Sequence, residues 1–234
     1  MIRYGNDIII ITVGAEGNAT ELYVHADLIV ENSDLLALEL KEEKDYAEGN
    51  PQTLTLRDQS AAEFGIFVSF LYTNYVYSAS PKEEDKVELD CLLKLWFLAQ
   101  HLQSTSFKDA ITDAFIEKAR ASDIKEHLLG ICDSLFLHAK GESGLGQWLV
   151  EKAASWLDPS EWESIPFKPE HTRFFYEALK ALAGMKAFST YRGDEVYERE
   201  EGCGYHEHGK GPCGRKLRVW YPHDIRRDHE TVLK

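Results

Sequence analysis

Cys203, His206, His208 and Cys213 bring two thiols and two imidazoles into one short stretch, interleaved with Gly202, Gly204, Gly209, Gly211 and Gly214. Two soft thiolates and two ring nitrogens meet the ligand count of a tetrahedral zinc site. If the backbone from His206 to His208 is extended, both rings leave one face about 7 Å apart at Cα, from a rise of ~3.3 Å per residue, and one ion can bridge them. Four protein ligands close the coordination sphere, so zinc held this way is structural rather than catalytic. The spacing is not a common finger pattern. Two readings stand beside zinc: a tail without a ligand, and a disulfide between Cys203 and Cys213. His223 and His229 are substitute ligands that no spacing singles out.

The remaining chemistry-bearing residues fail their tests. Gly141-Glu142-Ser143-Gly144-Leu145 lacks the final glycine of a nucleophile elbow and follows a helical pattern rather than a strand, so a loop between helices is expected. Gly141, Gly144 and Gly146 are wrongly spaced for a phosphate-binding loop. His206-Glu207-His208 with Pro212-Cys213 falls short of a zinc deaminase, because Glu207 directly follows the histidine and Lys216 stands where the second cysteine belongs. His25, at a strand end, is expected to be a hydrogen-bonded structural residue. Cys91, Cys132 and most of the five tryptophans fall at helix-periodic apolar positions and read as core. No catalytic residue emerges, and the expectation is a protein that is not an enzyme.

Charge divides the chain unevenly. The net −14 over 234 residues argues against coating by nucleic acid. From Cys203 onward, however, Lys210, Arg215, Lys216, Arg218, Arg226, Arg227 and Lys234 outnumber Glu207, Asp224, Asp228 and Glu230, which makes the tail +3 and everything before it −17. Contact with nucleic acid is therefore a reading confined to that basic tail. Glu195, Glu198, Glu200 and Glu201 precede it as an acidic linker. Four cysteines are too few for a disulfide framework and point to a reducing compartment, cytoplasm or nucleus. No run approaches the ~18 to 20 apolar residues of a membrane span, and Asp7 interrupts the only imitation of a signal peptide.

The elements that position these residues are legible from periodicity. Ile8 to Val13 is β-branched and continuous, the pattern of a strand buried on both faces, and Gly14 to Asn18 turns it into Thr20 to His25. Short helical segments follow from Asp27 to Leu40, with Asn32 and Ser33 placed to cap the second, and Thr53 to Leu56 alternates as a strand. Ser60 and Glu63 form a capping-box pattern ahead of Phe64, Phe67, Val68 and Leu71, and Asn74 suits the left-handed stop. Tyr75 to Tyr77 is a strand candidate. Helices are then expected around Leu89 to Trp96, from Ser106 through Phe115, from Asp123 to Ala139, from Leu145 to Leu157 and from Glu170 to about Phe188. Strands crowd the first third and helices the rest, which is an α+β arrangement.

In this order and spacing, residues 7 to about 119 resemble a BTB/POZ domain of the fungal stand-alone type. The matching marks are Asp7-Ile8-Ile9-Ile10, Val24-His25, Ser33, Leu54-Thr55-Leu56, the stretch Phe64 to Leu71 with Tyr72-Thr73, Leu92 to Ala99, and Phe107-Lys108-Asp109-Ala110. Ala26, Leu35-Leu36 and Asn74 depart from the family pattern. The resemblance implies a protein-interaction module, commonly a homodimer, and in some members an adaptor for cullin-3 ubiquitin ligases. Leu40-Lys41-Glu42 fits the apolar-x-Glu motif of those adaptors. The expected organisation is a BTB/POZ domain over 1–120, a helical extension over 121–190, and an acidic linker with a basic Cys/His-rich tail over 191–234. The first strand is expected to act as an edge and to be covered by dimerisation.

Overall fold

The computed structural model describes residues 5, 7–42, 52–77, 85–121, 125–138, 143–165, 168–187 and 205–207. Strands β1 (Ile8–Val13) and β2 (Thr20–His25) form an antiparallel hairpin in which Ile8 faces His25 and Val13 faces Thr20. Gly14 and Gly17 take positive φ in the turn, at 107° and 88°, a conformation that costs glycine nothing. Strand β3 (Thr53–Leu56) pairs parallel with β1, Ile10 facing Thr53 and Val13 facing Leu56. The order β2-β1-β3 makes β1 the central strand.

Two expectations are thereby corrected. β1 is not an edge, because β3 returns to cover its second side. Nor is it buried on both faces: Ile9, Ile11 and Val13 are sealed, whereas Ile8 is 46% exposed and Ile10 half-buried. Alternation of side chains along a strand lets the helices reach one face only.

Helices α1 (Ala26–Asn32) and α2 (Asp34–Glu42) meet at Ser33, which is fully buried. Its Oγ accepts from the Leu36 amide at 3.2 Å, an N-cap, and donates to the Leu102 carbonyl at 2.6 Å, tying this corner to the end of a later helix. Helix α3 (Ala61–Thr73) begins at Ser60, whose side chain accepts from the Glu63 amide, and stops at Asn74 in the left-handed region with φ 57°. Tyr75 to Tyr77 joins no strand. The Tyr75 amide instead bonds Thr73 Oγ1 at 3.1 Å, and Val76 turns into the core.

Helices α4 (Asp85–His101) and α5 (Thr105–Ala121) pack along their length. α5 starts one residue ahead of Ser106, whose hydroxyl bonds Asn32 Oδ1 at 3.1 Å rather than the helix end. Between the two helices Glu88 and Lys118 form a buried ion pair. Then come α6 (Lys125–His138), α7 (Gly144–Trp156), α8 (Pro159–Ser164), a 3₁₀ turn Pro169–His171 and α9 (Thr172–Ala187). α8 has no apolar periodicity to announce it. A full capping box holds it, Asp158 and Glu161 satisfying each other's amides at 3.0 and 2.8 Å, with Pro159 at the first helical position.

The result is a mostly helical α+β fold with a small three-stranded sheet. One buried apolar cluster runs from Ile9 through Trp96 and Phe115 to Trp148 and Phe174, so the core is continuous across residue 120. Phe115 of α5 meets Trp148 of α7 edge-on at 6.3 Å. No helix among the described residues is long and apolar enough to cross a membrane.

Candidate functional site

A cluster of polar contacts among the described residues lies where α5 and α7 receive Tyr205-His206-Glu207. On α5 the side chains of Lys108, Asp109, Thr112 and Asp113 recur at helical spacing on one face. Asp109, Thr112 and Asp113 are buried there despite their polarity. On α7, Glu151 and Lys152 are buried as well. Charged groups leave water only when partners compensate them.

Tyr205 is 3% exposed and belongs to the apolar core, with its hydroxyl donating to Glu151 Oε2. The other oxygen of Glu151 accepts from Gln147 Nε2 at 3.0 Å, which fixes the carboxylate from within its own helix. His206 Nε2 lies 2.8 Å from Asp113 Oδ1. The Glu207 amide donates to Asp109 Oδ1 at 2.8 Å, and its carboxylate meets Lys108 Nζ at 2.7 Å. Lys108 in turn sits 4.5 Å over the Trp96 ring, a cation–π contact that holds the ammonium in place. Lys152 lies 5.0 Å from the Trp156 ring and 5.7 Å from that of Trp148.

Backbone geometry shares in the contact. Ser143 caps α7 by accepting from the Gly146 amide at 3.0 Å, and Gly144 and Leu145 lie in the first turn of that helix. Gly144 then lies directly beneath the Tyr205 carbonyl. A Cβ at that position would stand 1.7 Å from the Tyr205 oxygen. Chemically the arrangement sets a phenol, an imidazole, a main-chain amide and a carboxylate each against a complementary group.

Of the four expected zinc ligands only His206 is described. Cys203, His208 and Cys213 lie outside the described residues, as do the acidic linker and the basic stretch read for nucleic acid. Among the described residues no three His, Cys, Asp or Glu side chains gather as a metal site. His206 itself is paired with Asp113, and sequence reasoning missed that carboxylate. Asp109 and Asp113 are four residues apart on one face of α5, and that spacing is the signal in the sequence that points to them.

The other candidates sit elsewhere. His25 Nδ1 bonds Tyr72 Oη at 2.7 Å, as a structural histidine does. Cys132 is buried, and that burial, with Asp133 adding to it, pushes its thiol well above the usual range, the reverse of an activated nucleophile. Leu40 is buried at the end of α2, whereas Lys41 and Glu42 beside it are exposed. No protein-family model matches the chain, and no curated protein matches it either.

Proposed function

We propose that the protein is a non-enzymatic interaction module of the BTB/POZ type, acting in the cytoplasm or nucleus as a homodimeric scaffold or adaptor. The observation that carries this reading is the set of large apolar side chains left exposed on the first four elements: Ile8 on β1, Tyr23 on β2, Val30 on α1 and Leu38 on α2. Single exposed apolar residues are ordinary, but these occupy consecutive elements, and α1 packs on both β2 and α2. The order of elements supports the family assignment: a hairpin, a helix pair joined at a buried serine, a short third strand, then three longer helices ending near residue 121. Dimerisation rests on these exposed side chains rather than on a strand edge. Replacing Tyr23 and Leu38 together by glutamate is expected to yield folded monomer. A double variant that keeps the wild-type mass in light scattering would refute the assignment of the interface.

In the adaptor role, contact with cullin-3 is proposed through Leu40-Lys41-Glu42, of which Lys41 and Glu42 are exposed and Leu40 is buried. The tail is proposed to hold one structural zinc through Cys203, His206, His208 and Cys213. His206 is the one described member of the set; its Nε2 lies 2.8 Å from Asp113 Oδ1, and a carboxylate beside a ligating imidazole is the usual means of orienting the ring. Zinc there would fasten the tail as a cross-link does. Protein purified without chelator should carry close to one equivalent, and less than about a tenth would reject the site.

A further inference from the structure

We propose that the face shared by α5 and α7 is a peptide-docking site for an aromatic hydroxyl, an imidazole and a carboxylate on three successive residues, and that its resident ligand is the chain's own Tyr205-His206-Glu207. The inference stands apart from the family assignment and from zinc.

Four features of the helical body converge on those three residues. Polar groups of the segment each meet a body group: the Tyr205 hydroxyl meets Glu151, the His206 ring Asp113, the Glu207 amide Asp109 and the Glu207 carboxylate Lys108. With the segment seated, these body groups are little exposed, at 7% for Asp113 and Glu151 and 9% for Asp109, so whatever covers them must offer matching polar chemistry. They are also held from behind, Glu151 by Gln147 and Lys108 by the Trp96 ring, which lowers the ordering cost of binding. Finally, Gly144 provides room for main chain, which a site built for a side chain alone does not require.

The ligand is short and remote in sequence. Its contacts bridge 54 residues to Glu151 and 93 to 99 residues to α5. A site read by three consecutive residues can be filled by any segment offering the same groups. The chemistry also sets the selection rules. Phenylalanine at the first position deprives Glu151 of its hydroxyl donor, and proline at the third removes the amide that Asp109 accepts.

Two experiments on the full chain test the proposal. In the first, Tyr205→Ala, His206→Ala and Glu207→Ala together empty the site while leaving Lys108, Asp109, Asp113, Gly144 and Glu151 in place. A fluorescent peptide of residues 204–209, which contains no cysteine, should bind this variant by anisotropy. It should bind the wild type at least tenfold more weakly, because the tethered segment competes at an effective concentration on the order of millimolar. Adding Gly144→Ala to the emptied chain should abolish binding. Equal binding to emptied and wild-type chains, or none to a folded emptied chain, overturns the proposal.

The second experiment covers the case in which the emptied chain fails to fold. Gly144→Ala alone places a better helix former at the start of α7, where Gly144 has no left-handed φ, so the helix is not weakened. Its methyl group should nonetheless evict Tyr205 and raise amide hydrogen exchange over 205–207 by tenfold or more. Exchange there at the wild-type rate would equally overturn the proposal.

Discussion

Lys118 and Glu88 show how a single residue can matter more for what it compensates than for what it adds. Their side chains are 11% and 6% exposed. Attraction between buried charges roughly offsets the cost of desolvating them, but removing one partner takes that attraction away while the other's desolvation cost remains. Lys118→Met should therefore cost about 3 kcal/mol in urea unfolding, and adding Glu88→Leu should recover most of that loss. Cys132 makes a pH-dependent contribution of known sign. Its raised folded pKa favours the thiol, so the stability it confers is intact below the ordinary cysteine range and falls as pH rises above about 8.5, where the unfolded thiol ionises. Cys132→Ala should flatten the loss of stability between pH 7 and pH 10 relative to wild type. The folded wild-type chain should also leave Cys132 unalkylated at pH 8.

At the scale of elements, the corner between α1 and α2 depends on Ser33. Its hydroxyl caps one helix and satisfies a carbonyl at the end of another. Ser33→Ala should cost about 2 kcal/mol, measured by thermal unfolding, since the Leu102 carbonyl stays buried without that donor. Most elements could be read from periodicity, because amphipathic helices such as the one carrying Phe107, Ile111 and Phe115 declare the face they bury. α8 escaped because its signal lies in a cap, Asp158 with Glu161, rather than in apolar spacing. The place of β1 escaped for a different reason. A run of isoleucines states that a strand is apolar, but its neighbours are set by β3, more than forty residues downstream along the chain. The polar face of α5 was only half legible: the spacing of Asp109 and Asp113 was visible, whereas their partners lie more than ninety residues away.

For the whole molecule, the −14 net charge and the apolar surface act at different ranges. The acidic body keeps copies apart at a distance, a repulsion screened over ~8 Å at physiological ionic strength, and the exposed side chains on the first four elements act only at contact. Self-association should therefore strengthen with added salt, and a mass that falls with salt would point instead to charge-driven contacts. Tyr205, His206 and Glu207 of the tail are bound to this body. The central claim is that the chain is a dimerising interaction module. Light scattering of the full chain at micromolar concentration tests it most directly: a mass of twice 26.7 kDa is the predicted result, and a mass of 26.7 kDa would contradict it.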